Sequence, residues 1–435
     1  MKTNTIEQNN PKTIRAWVMY DWANSVFQLT IASAIFPVYY SSVTRAGGSD
    51  TVSFFGFDVI NTVLYSWAIA AAYLLLAFVS PLFSSIADYT GRRKTFMKIF
   101  TWLGAVGCGM LYFFNKDRLE LGIISFFLAW VGYGGSLVFY NSFLPIIARN
   151  EDHDKISARG YSMGYLGGVV LLVMNLIIVL KPLWFGITDS GLPARISFVT
   201  VFLWWIGFSQ ITFRRLPKYT FGHKSEGNVL LKGYSELRIV WNQFKHSPVM
   251  VSYLFAFFFV TSGVLTVMFM AATYGEKELK LGDEILIGTI LVIQLLGVVG
   301  AWSFARISKK LGNIQSLIIS VFAWVFICLG AYFITDATGF VIVASLVGLV
   351  MGGTQALARS TYSKMLPVTE DHTSFFSFYD VMEKLATVAG LFSFGIMEAL
   401  TGSMKASVLS VVVFFLIGLL LLILVNWLNK RRGVV

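Results

Sequence analysis

Asp21, Asn24 and Gln28 stand at i, i+3 and i+7 inside an apolar run, so they share one face if that run is a helix. A second polar group, Asp380, Glu383 and Lys384, interrupts another apolar run. Asp380 and Lys384 are spaced i, i+4 with the acid first, the favourable order for a helical ion pair. Glu383 then lacks a local partner, and Arg359 in the preceding run is the candidate; a switchable carboxylate and a permanent structural pair are both open readings. Gln355 and Arg359 share a face at i, i+4, and Tyr140 and Asn141 precede Pro145, whose missing N–H frees a helix carbonyl. A carboxylate held against Arg can exchange its charge for a proton or a ligand. An Arg facing a cavity suits a bidentate contact with a solute carboxylate; the other reading, and the one its place at a helix end favours, is a topology residue. Asp21 serves gating or proton coupling, or is a hydrated helix-end acid; Asn24 and Gln28 line a cavity or tie helices together. These are binding and coupling chemistries. The four histidines (His153, His223, His246, His372) fall in polar connections, and Cys108 and Cys328 lie in separate apolar runs. No metal-ligand spacing results, so neither a metal, a cofactor nor an enzyme activity is expected. No nucleotide-binding G-x-x-x-x-G-K-[ST] run occurs, which leaves a gradient or the solute itself as the energy source.

The elements that must hold these residues are set by composition. Of 435 residues, 56% are hydrophobic and 13% charged, with a mean hydropathy of +0.70. A water-soluble surface needs about a quarter charged residues, so a soluble enzyme, a disordered chain and a disulfide scaffold are excluded. A membrane helix needs about twenty apolar residues. Twelve such runs are expected, near 17–40, 63–85, 95–114, 121–147, 163–180 and 196–213, then 249–272, 285–305, 314–334, 340–358, 376–400 and 406–427. With both termini placed in the cytoplasm, the inside segments carry 25 Lys and Arg and the outside segments eight. The net charge of +11 is therefore a topology signal, with anionic lipid headgroups rather than nucleic acid as its partner. The first fifteen residues are polar, so no cleavable signal peptide is expected, and the cell (inner) membrane is the expected location.

The chain divides into an N-terminal six-helix bundle (1–213), a basic cytoplasmic linker (214–247) and a C-terminal six-helix bundle (248–435). Glu151-Asp152-His153 recurs as Glu370-Asp371-His372 at an offset of 219, and Cys108 and Cys328 differ by 220. Matches near half the chain length suggest duplication, and paired bundles place a solute site between them near mid-membrane. In the linker, Leu230, Tyr234, Leu237, Trp241 and Phe244 make one apolar stripe, read either as an interfacial helix or as a segment packed on the cytoplasmic helix ends.

The second connection reads Ser84-Ser85-Ile86-Ala87-Asp88-Tyr89-Thr90-Gly91-Arg92-Arg93-Lys94. It resembles the loop signature of the major facilitator superfamily, G-x-x-x-D-x-x-G-R-[RK], with Ser84 at the first glycine and Tyr89 at the usual basic position. Gly91 permits the turn, and Asp88 accepts from a neighbouring helix N-terminus or pairs with Arg92, so that Asp88, Gly91, Arg92 and Arg93 form a gating loop. The corresponding second-half loop keeps Gly312 but has Lys309 in place of the acid. Tyr20-Asp21-Trp22-Ala23-Asn24-Ser25, Phe139-Tyr140-Asn141-Ser142-Phe143-Leu144-Pro145 and Gly353-Thr354-Gln355-Ala356-Leu357-Ala358-Arg359-Ser360 resemble the branch that includes the autophagy-related vacuolar amino-acid effluxers and their bacterial relatives. The resemblance implies an all-α membrane protein with twelve transmembrane helices in two pseudo-symmetric six-helix bundles. It implies a monomeric permease that moves a small solute, amino acids or related metabolites, by alternating access and with protons as a coupling ion. A lipid-handling or flipping protein is the alternative, to be recognised by an apolar lateral opening.

Overall fold

The computed structural model describes residues 7–45, 51–218, 238–367, 369 and 371–432. Among them twelve helices are long and apolar enough to cross a membrane. The first half contains α1 (Pro11–Thr44), α2 (Asn61–Thr90), α3 (Arg93–Met110), α4 (Leu119–Asn141), α5 (His153–Leu180) and α6 (Leu192–Arg215). The second contains α7 (Pro248–Lys277), α8 (Asp283–Leu311), α9 (Asn313–Phe333), α10 (Ala337–Met365), α11 (His372–Thr401) and α12 (Met404–Arg432). Short connections make consecutive helices antiparallel, so both ends of the described chain reach the same side, called here the terminal face.

Local chemistry sets the ends. The Asn10 side chain accepts from the backbone N–H of Lys12 (3.0 Å) and Thr13 (3.4 Å), and Pro11 follows at the first helical position. Gly91 closes α2 at φ +66°, a left-handed conformation that costs a side-chain-bearing residue strain. Within α1, residues Phe27–Ile35 are wound as a π-helix that includes Gln28. Pro145 ends α4: the helix stops at Asn141 and a short turn leads into a single helical turn, Leu144–Ile147. The carbonyl of Tyr140 takes the Trp17 indole N–H at 3.0 Å.

The buried apolar side chains gather into two large clusters. One draws on α1 to α6, from Ile14 to Leu216; the other spans Val240 to Val425 and takes in Tyr165 from α5. Large apolar residues such as Phe78, Phe322 and Leu420 remain exposed on the helices, as expected when the surrounding solvent is acyl chain. The halves meet along two seams, α2 and α4 against α11, and α5 against α8 and α10.

Three sequence expectations change. A hairpin, β1 (Thr51–Phe54) and β2 (Phe57–Ile60), follows α1; Phe55 and Gly56 both have positive φ, the geometry of a two-residue hairpin turn. His153 and His372 are the first residues of α5 and α11, and His153 is buried with Nε2 3.2 Å from the Ala148 carbonyl. The fifth span therefore begins ten residues before the apolar run does, because Asp154 and Ser157 are buried against the other half. Leu230, Tyr234 and Leu237 lie outside the described residues, as does Glu370. Residues 238–245 are helical, and Trp241 and Phe244 pack on Phe378 and Phe375 near the start of α11.

Candidate functional site between the two halves

A cavity of about 160 Å³ opens between the halves, enough for a small solute or several waters. Its wall includes Asp21, Asn24, Gln28, Asn141, Gln355, Arg359, Asp380, Glu383 and Lys384. Four membrane-depth helices, α1 and α4 of the first half and α10 and α11 of the second, thus deliver the polar side chains singled out by type and spacing. Tyr140 is the exception. It is fully buried behind the wall, stacked on Trp17 at 4.5 Å, and donates its hydroxyl to Asp21 at 2.6 Å.

Arg359 is paired with Asp21, 338 positions away, and not with Glu383. Its NH1 and NH2 each stand 3.4 Å from Asp21 Oδ2. Its Nε donates to Ser157 Oγ and NH2 to the Ser157 carbonyl, both at 2.9 Å, while NH1 reaches Asn141 Oδ1 at 3.4 Å. The guanidinium lies over the Tyr161 ring, 4.2 Å from its centroid, and is 2% exposed, so it is no surface topology residue. Gly160 makes this approach possible: a Cβ there would lie 2.2 Å from Asp21 Oδ2. Asp380 and Lys384 form the expected i, i+4 pair, with Lys384 laid along Gly134 of α4. Glu383, half-buried in the wall, has neither hydrogen-bond nor ion-pair partner among the described residues. Gln355 accepts the Tyr165 hydroxyl at 2.6 Å. Asn24 is 1% exposed, and its Nδ2 has no acceptor.

The gating loop closes the terminal face. Asp88 Oδ1 pairs with Arg93 Nε at 2.7 Å, with both side chains fully buried; Arg92 is exposed and is not the partner. The same carboxylate crosses to the other half. It accepts the backbone N–H of Thr373 (3.2 Å) and Ser374 (2.7 Å) at the N-terminus of α11, where a helix end favours negative charge. A second latch was not foreseen. Asp154, at the start of α5, accepts from Lys364 Nζ (2.7 Å), Asn313 Nδ2 (2.7 Å) and Ser308 Oγ (2.9 Å), all of the second half. Among the described residues, every hydrogen bond between the halves lies on the terminal side of the cavity or at its wall, the deepest being Tyr165 to Gln355. Beyond it, Phe269, Ile290 and Leu291 of the second half pack on the first-half core through apolar contacts.

The pattern that announces the second latch was present in the sequence. Asp154, Ser157, Tyr161, Gly164, Tyr165 and Gly168 follow a helical face, and that face meets α1, α8 and α10.

Residues 9–434 match the family model described as vacuole effluxer Atg22 like. The MFS-type transporter YxiO of Bacillus subtilis (strain 168), itself described as uncharacterized, is 27% identical over 97% of this chain and 95% of its own. Autophagy-related protein 22 of Pyricularia oryzae is 20% identical over 87% of this chain and 71% of its own. Among solved structures, the major facilitator transporter FucP in its outward conformation superposes with a TM-score of 0.71 at 11% identity, covering 96% of this chain and 99% of that one. The chain belongs to the vacuole effluxer Atg22-like family and is a transporter of the major facilitator superfamily, a permease with bacterial relatives.

Proposed function

We propose that this protein is a monomeric secondary transporter that moves a small water-soluble solute, an amino acid or a related metabolite, by alternating access around the cavity that holds Glu383. The observation that carries the reading is the position of that cavity: its polar wall is shared between the halves, so any rocking of one against the other re-exposes it. Among the described residues, hydrogen bonds join the halves toward the terminal face and at the cavity wall, and apolar contacts join them beyond it. The described state is therefore closed on the terminal side and free of directional bonds on the other. The excess of Lys and Arg supports a cytoplasmic terminal face in the cell membrane. Glu383, a carboxylate without an ion-pair partner at membrane depth, is the group that would carry a coupling proton. A polar wall favours a soluble solute over a lipid.

Counterflow in proteoliposomes tests this. Preloading with amino acids, short peptides and organic acids is expected to drive saturable uptake of at least one labelled member of the set. Glu383→Gln is expected to abolish that exchange while the purified variant stays folded. Absence of saturable exchange for the whole set overturns the reading.

A further inference from the structure

We propose that the transported solute is net positive: a protonated amine seats at Glu383, and an acceptor oxygen of the same molecule meets Asn24. This rests on the transporter reading above and narrows its substrate class.

Five ionisable acids and bases line the cavity, Asp21, Asp380 and Glu383 against Arg359 and Lys384. Both cations are consumed. Arg359 is held by Asp21, by two groups of Ser157 and by Asn141, and Lys384 by Asp380. The lining is therefore neutral when Glu383 carries a proton and negative by one charge when it does not. In neither state does it offer an unused cation to an anion. An arriving ammonium restores the balance that the proton otherwise supplies, and the proton leaves for water.

The surroundings of Glu383 suit an ammonium. Tyr73, Tyr133, Tyr161 and Tyr379 line the same cavity. Aromatic faces attract cations. The second anchor comes from the first half. Asn24 is buried, lines the cavity, and keeps an amide N–H with no acceptor among the described residues. A buried donor without a partner is costly, so an oxygen brought by the solute gains what the empty site lacks. A solute held by α11 at its amine and by α1 at its oxygen bridges the two halves. A free carboxylate on the solute would have to draw Lys384 from Asp380 or Arg359 from Asp21.

Three probes of one shape separate the charges: phenylalaninamide (cation), phenylalanine (zwitterion) and N-acetylphenylalanine (anion). Isothermal titration of the purified full-length protein is expected to rank them in that order, with at least tenfold between the first and the last. Glu383→Gln is expected to remove the preference, so that cation and anion bind within about threefold of each other, at an unchanged thermal unfolding midpoint. Glu383→Asp is expected to keep the order. The proposal is overturned if phenylalanine or N-acetylphenylalanine binds as well as the amide, if the amide does not bind, or if the preference survives in Glu383→Gln. A charge preference without exchange in liposomes sinks the transporter reading alone; saturable exchange confined to anions sinks this proposal alone.

Discussion

Two latches close the terminal side, one at each seam, and they are wired in opposite senses. At the first seam the acid sits in the last turn of α2, and its cation, Arg93 at the start of α3, belongs to the same half. Only two backbone N–H groups of α11 come from the other half. At the second seam the acid sits on the helix start, Asp154 of α5. Its cation, Lys364, and its two neutral donors, Ser308 and Asn313, all belong to the other half. The end of α8 and the start of α9 thus donate where the end of α2 accepts. The difference bears on opening. When the halves part, Asp88 keeps Arg93 and loses two hydrogen bonds, whereas Asp154 must leave its cation. The first latch is a structural pair that also holds the junction; the second is a junction pair that neither half needs for its own fold.

Asp88→Asn should produce the largest effect. It leaves Arg93 fully buried without a carboxylate, a loss of about 3–5 kcal/mol when one partner of a buried pair is removed. The amide also accepts more weakly from Thr373 and Ser374. Thermal unfolding in detergent is expected to show a large drop in midpoint, and a midpoint near that of the wild type would break the comparison at its first term. Asp154→Asn comes next. It weakens charge-assisted bonds across the seam, each about 1.5–3 kcal/mol, at a site where Lys364 is partly solvated. The effect should fall on the balance between closed and open states more than on folding. A cysteine placed at Ala158, which is 1% exposed between Ala301 and Ala356, reports that balance. Labelling from the terminal side is expected to accelerate about tenfold. A midpoint as low as that of Asp88→Asn, with unchanged labelling, would show the two latches to be alike.

The sequence displayed this contrast unevenly. The twelve helices were legible because lipid leaves few alternatives to long apolar runs, and the terminal-face turn was legible because Asp88 and Gly91 stand at fixed spacing in it. Which basic residue pairs with Asp88 was not. Arg92 and Arg93 are adjacent, but Arg92 stands in the non-helical turn and is exposed while Arg93 opens α3 and is buried. Asp154 and Ser157 were hidden for a different reason. Their charge and polarity placed them in a loop, and only their partners in α8, α9 and α10 make a helix start there stable. Arg359 was legible only as a choice between a cavity group and a topology residue; it lines the wall, and its partner is Asp21 rather than the candidate Glu383. Glu383 precedes the pairing Lys384 by one residue, while Asp21 is distant in sequence and adjacent only after the halves meet. Periodicity marks the face of α5 that meets the other half, but not the partners it finds there.

The smallest effect tests the wiring itself. Ser308 donates to Asp154 at 2.9 Å and also to the Ala305 carbonyl of its own helix at 3.1 Å, so its hydroxyl has an alternative partner when the seam opens. Ser308→Ala therefore removes one neutral donor to a carboxylate that keeps Lys364 and Asn313, at about 1 kcal/mol or less. Labelling at Ala158→Cys is expected to rise only a few fold. In the Asp154→Asn background the same substitution should add little, because the charge it served is gone. In the Asp88→Asn background it should act in full, since the two latches share no partner and distant sites add. If Ser308→Ala instead has the same effect in all three backgrounds, its hydroxyl works through Ala305, and the second latch rests on Lys364 and Asn313 alone.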